Sequence, residues 1–372
     1  MKNLYIFLCV AVNTFVLFGC ANYIVDTTEG VKNIPSKHAN DANLVNKFDG
    51  REMLAVGEHI GFIEILSPKA KDYLRADTPI VIEANNFNWI EGPVWVEAEN
   101  FLLFSDVPEN KIYKFSPENG VSLYIQPSGY NKLYPNDEKK GSNGLAIDNS
   151  GRLVLMQVGD RRVSRMTATL SDPRADYETI QSHYNDKRFN GPNDIVFHSS
   201  GMFFMTDPPY GLSGKLSDPK KELPFQGVFR VEQNGEAILL DDTLSFPNGI
   251  GLSPDERILY VAVSDGRKQF KNAAIHAYDL NSIGDVSNKR ELVNGSHLID
   301  LPGEQGNFDG MDVHSSGVIF ATAPGGVWLI MPTGEVIAKI RTKQKNGNCT
   351  LSADEKMLYI AADGYLLNVA LK

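Results

Sequence analysis

Cysteine is nearly absent from this chain: Cys9, Cys20 and Cys349 are the only three in 372 residues. Positive charge is short too, with 36 Lys and Arg against 46 Asp and Glu and a net charge of −10. There is no basic stripe to neutralise phosphates, which argues against a nucleic-acid partner. Beyond the first twenty residues no apolar run reaches the roughly 20 residues needed to cross a bilayer as a helix. A Gly-x-Ser-x-Gly elbow is missing, which removes the usual serine-hydrolase reading. The Gly-x-x-x-x-Gly-Lys phosphate loop is missing as well. The seven histidines are scattered, so no His/Cys cluster favours zinc.

What is present begins with Lys2 and a mostly apolar run from Leu4 to Phe18, broken by Asn13-Thr14 and ending in Leu17-Phe18-Gly19-Cys20. This pattern reads as an export signal, and its end resembles the lipobox of bacterial lipoproteins. That resemblance implies cleavage before Cys20, a lipid on its thiol, and a membrane-anchored protein on the periplasmic or cell-surface side. An uncleaved anchor, which the bulk of Phe18 favours, and an ordinary signal with an incidental Cys are the alternatives. The expected division is therefore 1–19 signal, 20–60 polar tether and 61–372 folded domain. With Cys20 lipidated, Cys349 is left alone and no internal disulfide is available.

The domain carries a repeat. Six times a polar residue, usually with a small one behind it, opens a short apolar run: Glu91-Gly92, Asn143-Gly144, Asn193-Asp194, Asn248-Gly249, Asp309-Gly310 and Asn348-Cys349. These anchors are 52, 50, 55, 61 and 39 residues apart. A period of roughly 40–50 residues predicts an all-β, six-bladed β-propeller with four-stranded blades around a central channel. Turn clusters such as Asp148-Asn149-Ser150-Gly151, His198-Ser199-Ser200-Gly201 and His314-Ser315-Ser316-Gly317 follow the runs. A second apolar strand follows each turn and ends in Asp106, Asp160, Asp207, Asp265 or Asp363. An antiparallel return brings these carboxylates back to the anchor face, where they either cap turns or take part in chemistry. His198 and His314 fall in the distal turns, and His183 precedes the third blade. Surface turn roles are expected for His198 and His314, while His183 either has no role in the chemistry, the leading reading, or lines the mouth.

Trp89-Ile90-Glu91-Gly92-Pro93-Val94-Trp95, Phe104-Ser105-Asp106, Asn143-Gly144-Leu145, Pro192-Asn193-Asp194, Thr206-Asp207-Pro208-Pro209-Tyr210-Gly211, Pro247-Asn248-Gly249, Asp309-Gly310-Met311 and Asn348-Cys349 occur in order at blade spacing. From about Ile65 to the end the chain resembles the senescence marker protein / gluconolactonase / luciferin-regenerating-enzyme family of six-bladed propellers. The resemblance implies a divalent cation held by Glu91, Asn193, Asn248 and Asp309, with Asp309 also the general base. It further implies substrate contact by Asn193 and Asp194. Asn143 is expected to line the pocket. Two positions depart from the family. Gln157-Val158 stands where bacterial members often carry Glu-His, and Gly191 stands where animal members carry arginine.

Two carboxylates and two amide oxygens make a hard, all-oxygen donor set that suits Ca²⁺, with Mg²⁺ or Mn²⁺ as alternatives. Such an ion polarises a carbonyl and acidifies bound water, and a neighbouring carboxylate accepts the proton. The expected activity is hydrolysis of a small-molecule lactone, a sugar lactone above others. A phosphotriesterase or aryl esterase on the same ion is an alternative, as is a non-catalytic propeller that binds a partner or glycan. Asn-Gly is also a strong hairpin-turn signal, so Asn143 and Asn248 could instead simply turn the chain.

Overall fold

The second strand of each repeat is buried along nearly its whole length: Phe101–Asp106, Leu153–Gln157, Phe203–Asp207 and Ile319–Ala323 have no exposed residue. A strand covered on both faces belongs inside a stack of sheets. The computed structural model describes residues 53–134, 138–267 and 272–372. In it the repeats form six antiparallel blades, all but one four-stranded, in chain order. The six-bladed β-propeller expected from the sequence is the fold. The signal, Cys20 and most of the tether lie outside the described residues.

Blades one to six begin with the innermost strands Ile90–Val96, Ser142–Ile147, Ile195–Phe197, Pro247–Leu252, Met311–Val313 and Asn346–Leu351. The core is a set of wedges between neighbouring blades. Leu103, Leu145 and Leu155 fill the wedge between blades one and two, and Phe204, Leu259 and Val261 that between three and four. Blade six is closed by an early strand and the last one, because Ile80–Ala84 forms its outer strand against Tyr365–Ala370.

Two features go beyond the sequence expectation. Phe62–Ile65 adds a fifth strand to blade five, pairing with 338–341. The packed chain also starts before residue 61: Ile60 N–H donates to Ile80 O at 3.0 Å and Ile82 N–H to Glu58 O at 3.0 Å. Residues 53–74 thus form a strap over the rims of blades five and six, pinned by buried Ile60, Ile63, Ala70 and Leu74.

Candidate active site at the channel mouth

The anchors do not form hairpin turns. Pairing between the first and second strands slips at Glu91–Val94, Ser142–Leu145, Pro247–Ile250 and Asn346–Asn348. Each slip is a bulge at the anchor, and a bulge re-aims a side chain out of the ladder. In blades three and five the regular strand starts only after Asn193 and Asp309. The six anchors thus sit where the ladder is irregular or has yet to begin, with Glu91 still opposite Ser105 and Asn348 opposite Ala361.

The small residue beside an anchor makes room for the neighbouring blade. A Cβ on Gly347 would stand 2.6 Å from Glu91 Oε1, and one on Gly144 would stand 2.7 Å from Asp194 Oδ1. Backbone and hydroxyl bonds then stitch the ring. Ser105 Oγ donates to Asn143 O at 2.9 Å, Gly144 N–H to Asn193 O at 2.8 Å and Thr206 Oγ to Asn248 O at 2.6 Å. Gly249 N–H donates to Asp309 O at 3.0 Å and Gly310 N–H to Gly347 O at 2.7 Å.

Inside this ring carboxyls face carboxyls. Burial pushes Glu91 up to about 8; Trp89 opposes this by donating Nε1–H to Oε1 at 3.0 Å, and the Asp194 charge adds to it. Burial, then the charges of Glu91 and Asp194, hold Asp309 well above the carboxylate range, while the Asn248 amide bonds to it. Burial pushes Asp194 up to about 7 against hydrogen bonds from Ile195, Ile250 and Asn348. Among the described residues no lysine, arginine or histidine forms an ion pair with any of the three. A buried group of acids without a cation of its own is electrostatically incomplete. The donor chemistry therefore fits a divalent ion. No three His, Cys, Asp or Glu side chains among the described residues form a cage, so amide oxygens and water would have to complete its sphere.

Glu91, Asn248, Asp309 and Asp194 are thus brought together around the axis. Asn193 and Asn143 stand buried in the same ring, joined through their backbones. Asp194 also bonds within its own blade. Its Oδ1 accepts Ile195 N–H at 3.0 Å, and it lines a cavity of about 500 Å³ that opens at the opposite end of the channel, toward the hairpin turns. The mouth itself holds two adjoining cavities. One, of about 520 Å³, is lined by Trp89, Ser264, Asn307 and Asp309. The other, of about 590 Å³, shares Ser264 and Asn307 and adds Tyr210, Phe246 and Arg267.

The aspartates that end the second strands have a structural task. Asp106 accepts the backbone N–H of Asn88 at 3.1 Å, and Asp207 accepts those of Asn190 and Gly191, both at 2.8 Å. They fix the linkers that lead into Glu91 and Asn193. Gln157 is bound on both sides, to Ser128 O at 2.8 Å and Arg162 Nε at 2.6 Å. A Cβ on Gly191 would lie 2.3 Å from Gly211 N, so any side chain there would run into backbone. His198 and His314 sit in far-face turns against Glu256 and Glu355, each at 3.2 Å. His183 shares a hydrogen bond with Ser182 in a short hairpin. Sequence reasoning gave no role to Trp89 or Tyr210, although both lay in motifs it singled out.

A six-bladed propeller with an acid-and-amide ring at one channel mouth defines the class, and comparison with known proteins narrows it. The profile of the SMP-30/Gluconolactonase/LRE-like region matches residues 89–363, and the chain belongs to that family. It is 36% identical over 321 residues to a gluconolactonase of Zymomonas mobilis, covering 85% of this chain and 88% of that one. Among solved structures, a gluconolactonase from Xanthomonas campestris superposes with a TM-score of 0.70 at 24% identity, over 86% of this chain and 99% of that one. A calcium-binding protein, regucalcin, from Agrobacterium tumefaciens gives a TM-score of 0.59 at 15% identity, over 86% and 97%. At these identities the two structures attest the fold.

Proposed function

We propose that the protein is a metal-dependent lactonase that opens a sugar lactone at the channel mouth. The observation that carries this reading is the group of buried, mutually raised carboxyls next to the cavity lined by Asp309. The gluconolactonase relative, matched across most of both chains, supplies the substrate class. Glu91, Asn193, Asn248 and Asp309 are the residues that would hold the ion. Calcium is preferred from the all-oxygen donor set, since the calcium-binding regucalcin shares only the fold with this chain.

When bound, the ion supplies Lewis acidity and acidifies water. The chain supplies the rest. Trp89 fixes the Glu91 carboxylate through its indole N–H, and Asn248 orients Asp309. Asp309 accepts the proton of the attacking water as its oxygen bonds to the carbonyl carbon. The ring C–O bond then breaks, and the same proton passes to the departing oxygen.

The test is metal analysis of the full chain, followed by a pH-drop assay over five- and six-membered lactones. Hydrolysis should be lost on chelation and restored by Ca²⁺. Asp309→Asn should lower kcat by about 10³-fold, and Asn193→Ala should weaken retention of the ion. A panel left wholly inert by metal-loaded protein would sink the lactonase reading in favour of a binding propeller. Export with a lipid on Cys20 is part of the proposal and is supported by the sequence alone. Cys20→Ser should release the protein from the membrane fraction.

A further inference from the structure

The reaction above leaves one need unmet: the ring oxygen departs as an alkoxide, a poor leaving group without a donor beside it. Arg267 is committed to Asp265 through Nε at 2.8 Å and Nη2 at 2.7 Å. Lys345 is exposed on the rim. Tyr210 is placed differently. It lies in the short 3-10 turn Pro209–Gly211, preceded by Pro208, so two prolines limit its backbone. That turn is wedged against its neighbours, since a Cβ on Gly211 would meet Asn190 O at 2.5 Å and Val158 O at 2.8 Å. Lys140 Nζ donates to Tyr210 O at 3.2 Å, and the Tyr210 ring packs on Phe246 with centroids 5.8 Å apart. The hydroxyl reaches the side chains of Ser264 and Asn248, in the field of Asp309. The ring remains only half-buried and opens onto the second mouth cavity, which shares Ser264 with the Asp309 cavity.

We propose that Tyr210 is a catalytic residue whose hydroxyl donates a hydrogen bond to the ring oxygen of the lactone as the acyl C–O bond breaks. This rests on the lactonase reading and adds a residue to it. Water contributes its oxygen to the carbonyl carbon and one proton, through Asp309, to the ring oxygen. Tyr210 keeps its own proton and stabilises the charge that develops before the transfer. A phenol is neutral at ordinary working pH, so its hydroxyl carries a proton to donate. The donor is held where charge appears only in the transition state, so its effect belongs in kcat and not in KM.

The experiment compares full-length, metal-loaded wild type with Tyr210→Phe on two substrates. One is an aliphatic δ-lactone, which releases an alkoxide. The other is dihydrocoumarin, which releases a phenoxide needing little help. Tyr210→Phe should lower kcat on the aliphatic lactone by about 10²-fold, with metal content and KM nearly unchanged. Its loss on dihydrocoumarin should be at least about tenfold smaller. Equal losses on both substrates, or none, overturn the assignment while leaving the lactonase reading intact. Wild type inert on both overturns the lactonase reading and this inference with it. Should Tyr210→Phe misfold, Ser264→Ala gives the same decision: a steeper dependence of kcat on leaving-group pKa supports the assignment, and an unchanged slope overturns it.

Discussion

Gly347 cannot carry a side chain because the Glu91 carboxylate already fills that space. Gly347→Ala should therefore displace Glu91 and weaken Ca²⁺ binding by more than about tenfold, read by calorimetry as a loss of one charged ligand contact. The same carboxyls set a pH response whose sign follows from their direction. Glu91 is raised to about 8 and Asp194 to about 7, with Asp309 also raised. Their ionised forms oppose folding of the metal-free protein, fully so above the folded values. Metal-free protein should gain thermal stability as pH falls from about 8 toward 5. The increment given by Ca²⁺ should shrink over the same interval, because the ion competes with protons for these oxygens. Parallel melts with chelator and with Ca²⁺ check both signs, and a chelated protein that loses stability on that descent contradicts the argument. The anchors themselves were legible in the sequence, because a repeated polar-small pair at blade spacing survives divergence elsewhere. The bonding of Asp194 to Ile195 and Ile250 was not, since it depends on which way a buried carboxylate turns within the channel.

At the scale of strands, the Ser or Thr near the end of a second strand ties its blade to the next. Thr206 Oγ donates to Asn248 O and accepts Asp194 N–H at 3.2 Å, so one hydroxyl serves two anchors. Thr206→Val keeps the shape and orphans both partners. It should cost about 1–3 kcal/mol in urea unfolding and reduce Ca²⁺ affinity with it. A distal pair, His198-Ser199 on Glu256 and His314-Ser315 on Glu355, repeats with the same geometry at the other face: Ser199 N–H and Ser315 N–H each donate at 2.7 Å. Turn composition announced those hairpins. Their use as clamps between blades three and four, and five and six, could not be read, because the glutamates lie 57 and 40 residues further on. The fifth strand on blade five escaped for the same reason. Phe62–Ile65 is four residues long, and its partner strand lies more than 270 residues away along the chain, as with Arg341 and Glu64 at 277.

For the whole molecule, the ring is held by six wedges of apolar side chains and by the strap that crosses two of its rims. Ile63→Ala and Leu74→Ala remove buried side chains of the strap, and each should cost about 2–5 kcal/mol, measured by chemical denaturation. Leu74 follows Tyr73, which packs on His314 in a far-face turn away from the mouth, so in Leu74→Ala metal-loaded lactone turnover below the unfolding transition should change far less than stability does. The blade count followed from the period; the closing strand and the strap did not, because their partners lie more than 270 residues further along the chain, as for Ile63 with Ile340 and Ile80 with Val369.

The closure of blade six carries a mechanical consequence. Ile80 pairs with Val369, and Ile82 with Leu367, so the outer strand and the last strand run opposite ways, with the start of one beside the finish of the other. Tension applied between the two ends of the described chain loads these bonds one after another, as in a zipper, instead of all at once in shear. A propeller that resists heat through its wedges should yield to traction at low force, strap first and seam next, while blades one to four stay folded until the seam has parted.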